Sequence, residues 1–124
     1  MFIIQFPGQG SQSVGMGASL AQEFEVAKRV FQEVDDALGQ NLSGLMFEGP
    51  IETLTLTENA QPAIMAASIA LLRVFETEFG FDLSKAQFVA GHSLGEFSAL
   101  VASGALSFED GLKLVAARAN AMQK

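Results

Sequence analysis

The chain contains no cysteine, which excludes a disulfide framework, a thiolate zinc site and a cysteine nucleophile. Its one histidine, His92, excludes most histidine-rich metal sites, and neither a metal nor a cofactor is expected. Basic residues are scarce. Seven against fourteen acidic ones give a net charge of -7, so no phosphate-tracking nucleic-acid surface is expected. Such an acidic surface suits a cytosolic protein, or one that meets a basic patch on a partner. The longest apolar stretch, Pro62 to Leu72, is broken at Ser68 and falls short of the roughly 20 residues that span a bilayer. No membrane association is therefore expected. The start, MFIIQFPGQGSQ, lacks the basic n-region and small-residue cleavage site of a signal peptide, and the expected location is cytoplasmic. What is present is a core-forming composition, 49% hydrophobic and 17% charged over 124 residues, a length that allows one domain.

The apolar pattern changes period along the chain. Phe2 to Phe6 is a short apolar run stopped by Pro7-Gly8, the pattern of a buried strand in a parallel sheet. Gly8, Gly10, Gly15 and Gly17, with Gln9 and Gln12, form a turn. Ser19 opens a helix with Gln22 at the capping-box position. Leu20, Phe24, Ala27, Phe31, Val34 and Leu38 then make one apolar stripe that Gly39 stops. Leu42 to Phe47 gives a shorter helical turn ended by Gly49-Pro50. A second strong helix is predicted from Gln61-Pro62, with proline at an early position, apolar nearly all round from Ala63 to Leu72 and ending at Gly80. Ala86 to Ala90 reads as a second strand, Glu96 to Ala102 as a helix, and Ser107 with Asp110 as the start of a last helix.

The predicted fold class is α/β, a parallel sheet flanked by helices, incomplete as given. Two strands cannot make a sheet that hides both faces of such apolar runs, and the last helix is still in progress at Met122-Gln123-Lys124. The chain is therefore expected to be the N-terminal piece of a longer fold.

One constellation carries chemistry. Gly91-x-Ser93-x-Gly95 lies between a predicted strand and a predicted helix, the setting of a nucleophile on a sharp turn that needs glycine on either side. The backbone N–H of Leu94 then lies at a helix N-terminus, where donors and dipole favour an oxyanion. The bland alternative is a glycine-flanked helix cap. A serine nucleophile needs a base, but neighbouring side chains on a tight elbow diverge, so His92 reads as a packing or hydrogen-bonded residue. Gln9 follows the first strand; if the two strands are neighbours, it shares a crevice with Ser93 and its amide or loop backbone can complete an oxyanion hole. Otherwise PGQG is a plain glycine turn, since it lacks the residues of a P-loop and the spacing of GxGxxG. Arg118 has Leu114, Val115 and Met122 at i−4, i−3 and i+4, which sets it within an apolar face. It is either a snorkelling surface arginine or a guanidinium held in a dry cleft to bind a carboxylate in fork geometry.

PGQGSQ, NAQPA, GHSLGE and RANAMQ, in this order along the whole chain, resemble the malonyl-CoA:acyl carrier protein transacylase family. The resemblance implies transfer of a malonyl group from coenzyme A to a serine and then to the phosphopantetheine thiol of acyl carrier protein, in fatty acid biosynthesis. It implies Ser93 as the nucleophile, the Leu94 N–H and Gln9 as oxyanion donors, Arg118 as the partner of the malonyl carboxylate, and Gln61 as a residue lining the site. It implies malonyl-CoA and acyl carrier protein as partners, a monomeric intact enzyme, and a hydrolase-like core with an inserted ferredoxin-like small domain. Members of the family are well over twice as long, and their catalytic histidine follows that insertion, so it has no counterpart here. Residues 1–124 then form the N-terminal part of the large domain, and the fragment alone is expected to be inactive. Two other classes stay open: a GxSxG hydrolase or thioesterase, and a non-catalytic fragment that complements another chain.

Overall fold

The computed structural model describes residues 3–6, 8, 10, 12–80, 88–91 and 94–123. A strand β1 (Ile3–Phe6) precedes five helices: α1 (Ala18–Glu23), α2 (Glu25–Leu38), α3 (Leu42–Glu48), α4 (Ile51–Thr55) and α5 (Thr57–Glu78). A second strand, β2 (Phe88–Gly91), leads into α6 (Leu94–Ala102), and α7 (Phe108–Gln123) closes the order.

This corrects the expected fold class. The described residues make a helical structure in which helices pack on helices, not a parallel sheet flanked by helices. Strand pairing is confined to β1 and β2, four residues each, too little to form a layer of its own. The reason lies in where the apolar residues go. The buried cluster is built from α2 (Ala27, Val30, Phe31, Val34), α3 (Leu42, Met46), Leu54 of α4, seven residues of α5 between Ala63 and Val74, and Phe108, Leu112 and Val115 of α7. Each fully buried leucine or valine in it contributes about 1.5–3 kcal/mol.

Helix α5 is the hub. It packs against α2, α6 and α7, and residues 60–66 are all buried, so the reading of a core helix apolar all round is accurate in kind. Its start is not. The helix begins at Thr57, which leaves Pro62 inside it, one backbone donor short of a regular turn. Its neighbours Ala60, Ala63 and Ala66 are fully buried with it. The expected single helix from Ser19 to Leu38 is two. Phe24 is extended, at φ -127° and ψ 119°, and serves as C-cap of α1 and N-cap of α2. Its ring meets Phe79 edge-on at 6.1 Å, a contact across the fold that periodicity cannot register. Gly17, not Ser19, is the N-cap of α1. At φ +82°, and with a built Cβ only 2.6 Å from Phe31 Cζ, position 17 admits nothing larger than glycine. The C-cap at Gly39, left-handed at φ 65°, and the Ser107 hydroxyl accepting from the Asp110 N–H at 3.1 Å are where the sequence puts them. Among the described residues no helix is long and apolar enough to cross a membrane.

Candidate active site

β1 and β2 are parallel, with Phe6 opposite Gly91. Both strands therefore end at the same edge of the ladder. β2 ends at Gly91 and α6 begins at Leu94, so the GHSLG segment starts in the strand and finishes in the helix. Leu94 is the first residue of the helix, and its N–H has no intrahelical acceptor. His92, Ser93 and Gln9 lie outside the described residues; Leu94 is described in its backbone, as the start of α6.

The other two expected site residues, 57 positions apart, are brought together. Gln61 of α5 is fully buried, and its Oε1 accepts a hydrogen bond from Arg118 Nη1 of α7 at 2.6 Å. Its Nε2 donates to Met122 Sδ at 3.3 Å. A guanidinium only donates and a thioether only accepts, so the two partners fix which way the amide faces. A hydrogen bond to a charged group contributes about 1.5–3 kcal/mol. The pair thus orders Arg118 rather than leaving it a long, freely rotating surface chain.

Phe97 is absent from the sequence reading, and Met122 appears there only as an apolar neighbour of Arg118. Phe97 of α6 lies under Arg118, with the ring centroid 5.6 Å from Cζ, inside the range of a cation–π contact. Met122 enters as the acceptor for Gln61. Phe97 stands one helical turn after Leu94, and that spacing was the signal available. The apolar surroundings expected for Arg118 are only partly present: Val115 is buried, while Leu114 and Met122 are 47% and 56% exposed. The buried face of α7 runs through Phe108, Leu112, Val115 and Ala119, and Arg118 sits on its flank beside Phe97.

The frame beneath this cluster is tight. A Cβ built on Gly111 of α7 falls 2.6 Å from Val101 Cγ2 of α6, so only glycine allows this approach. Val101 is one turn beyond Phe97, and Gly111 two turns before Arg118. The same antiparallel face of α6 and α7 therefore carries the close contact and the Arg118–Phe97 stack. Among the described residues no three acidic or histidine side chains converge as metal ligands. Chemically, the cluster offers an ordered cation, with a helix N-terminal N–H at the opposite end of Phe97's helical turn.

Comparison with known proteins gives this arrangement a family. The profile of the acyl transferase domain matches residues 1–124. The malonyl CoA-acyl carrier protein transacylase of Bacillus subtilis (strain 168) is 53% identical over 119 residues, 96% of this chain and 36% of that protein. The crystal structure of the acyl-carrier-protein-S-malonyltransferase from Bartonella henselae superposes with a TM-score of 0.95 at 54% identity, over 99% of this chain and 40% of that one. A type II PKS acyl-carrier protein in complex with its malonyl-transacylase matches at a TM-score of 0.91 and 46% identity, over 98% and 38%. This chain thus spans little more than a third of the length of the Bacillus relative. With the profile matched from first residue to last and relatives more than half identical, the chain belongs to the acyl transferase domain family.

Proposed function

We propose that this chain is the N-terminal part of the large domain of a malonyl-CoA:acyl carrier protein transacylase, with the inserted small domain and the rest of the large domain outside it. The intact protein moves a malonyl group from coenzyme A to acyl carrier protein through an ester on Ser93, in fatty acid biosynthesis. The observation that carries this is Arg118 held on buried Gln61 and stacked on Phe97, in the helix that opens at Leu94. The identity to transacylases along nearly the whole chain supports the same reading.

In the first half-reaction the Ser93 hydroxyl attacks the thioester carbonyl, the C–S bond breaks, and coenzyme A leaves as its thiol. The Leu94 N–H and Gln9 stabilise the oxyanion, each such donor being worth about 10²–10³ in kcat. The phosphopantetheine thiol of acyl carrier protein then attacks the malonyl-serine ester, takes the acyl group and restores the hydroxyl. The proton is carried by the family's histidine, which comes from outside this chain. Arg118 takes the malonyl carboxylate in fork geometry, so that this charge is paired when it leaves water. The protein is read as a cytoplasmic monomer that needs no cofactor.

The test is acyl-enzyme mass. Full-length protein incubated with malonyl-CoA gains one malonyl group on the peptide that contains Ser93. If Ser93→Ala acquires the same mass, Ser93 is not the nucleophile.

A further inference from the structure

Ser98 of α6 is fully buried, and its Oγ has no hydrogen-bond partner. Serines at nearby helix ends are bonded: Ser103 Oγ donates to the Leu100 carbonyl at 3.0 Å, and Ser107 Oγ accepts from the Asp110 N–H at 3.1 Å. An unpaired buried hydroxyl costs stability and calls for a reason. An alanine, as at Ala99 beside it, would fill the position without that cost. The burial is complete within residues 1–124 alone. The rest of the intact protein therefore cannot reach this oxygen without displacing the atoms that seal it. A partner for Ser98 has to come from this chain, in another arrangement of it.

Ser98 stands four residues after Leu94, the first residue of α6. The carbonyl four residues back is the acceptor that a helical serine reaches by turning about χ1. That bond is unmade in this structure. We propose that Ser98 is a positioning residue for the turn that carries the oxyanion donor: its hydroxyl donates to the Leu94 carbonyl as the first turn of α6 tightens on the acyl oxyanion. This rests on the reading of the Leu94 N–H as an oxyanion donor and assigns the group that steadies it. An interaction absent from the resting enzyme and present in the transition state raises kcat rather than substrate affinity. It is also blind to the charge of the acyl group, because the oxyanion forms on malonyl and acetyl thioesters alike.

The experiment uses the full-length protein and follows the rate of Ser93 acylation by malonyl-CoA and by acetyl-CoA in Ser98→Ala and Ser98→Cys, with thermal melts of each. Ser98→Ala is expected to slow acylation at saturating thioester about fivefold for both substrates. The half-saturating concentration stays unchanged, and the variant melts at or above the parent. Ser98→Cys, whose thiol donates weakly, is expected to fall between the two. Should Ser98→Cys fail to fold, Ser98→Ala decides alone. An unchanged rate in Ser98→Ala overturns the proposal and leaves Ser98 a packing residue. A slower rate together with a lower melting temperature overturns it too, since a purely structural role would produce both. A loss confined to malonyl-CoA assigns the effect to Arg118 instead. If the parent takes up no acyl group on Ser93, the nucleophile reading fails and the proposal with it.

Discussion

Among the described residues two arginines rest on phenylalanine rings, and their polar partners differ. Arg73 of α5 lies 5.0 Å from the Phe108 ring centroid and Arg118 of α7 5.6 Å from that of Phe97. Arg73 completes its coordination with Glu33 of α2, Nη1 to Oε2 at 3.0 Å, a pair whose side chains are 36% and 43% exposed. Its charge is met by its own protein, and the result is a clip between α5 and α2. Arg118 instead donates to the buried amide of Gln61 on α5. The same cation on the same kind of ring thus meets a carboxylate in one region and an amide in the other.

The largest effect that tests this contrast is at Arg118. In the full-length enzyme Arg118→Ala should lower kcat/KM for malonyl-CoA by about a hundredfold or more, a loss of roughly 3 kcal/mol, and spare acetyl-CoA. Arg118→Lys should recover only part, since an ammonium cannot form the planar fork. Equal losses for the two substrates would put Arg118 in the class of Arg73.

Next comes the frame on which Arg118 stands. Gly111→Ala drives a methyl against Val101, a stiff β-branched side chain. Overpacking costs about 1–3 kcal/mol, less the roughly 1 kcal/mol that alanine gains over glycine in a helix. A lower melting temperature should therefore accompany a smaller malonyl-to-acetyl ratio, as α6 and α7 separate beneath the Arg118–Phe97 stack. Arg73→Ala, by contrast, should cost about 1 kcal/mol of stability and leave that ratio untouched. A change in the ratio would erase the distinction between the two sites.

The smallest effect is expected at Lys113, paired with Glu109 at 2.9 Å across one exposed helical turn. The hydrogen bond and charge of Glu109 raise its pKa above the ordinary 10.5. A raised folded-state value means the contribution is complete below the unfolded pKa and is lost as pH rises through the folded one. The small difference in melting temperature between Lys113→Met and the parent should therefore close above pH 10.5, with no change in selectivity.

The contrast also marks what the sequence makes legible. Arg118 is conspicuous as a cation among apolar neighbours, and Gly39, Ser107 and the apolar run after Pro62 announce their structural roles through local rules. Phe24 does not: its extended backbone cuts a continuous stripe in two, and nothing in the apolar spacing marks it. The expected sheet gives way to a helical core for a related reason. Short apolar runs such as Phe2–Phe6 show that a strand can form, but not how little of the core it will carry. Gln61 was legible as a site residue through resemblance alone, while its role depends on an atom in another helix. Phe97 was passed over because its partner is far along the chain. Gln9 and Ser93 lie outside the described residues, so their expected roles stand as proposals.

The account's central claim is the proposal that Arg118, ordered by Gln61 and Phe97, chooses the acyl group that Ser93 receives. A single competition measures it: full-length enzyme and its Arg118→Ala variant are each mixed with equimolar malonyl-CoA and acetyl-CoA, quenched, and the adduct on the Ser93 peptide weighed. The account predicts a malonyl adduct on the parent and a predominantly acetyl adduct on the variant. The same partition on both proteins would contradict it.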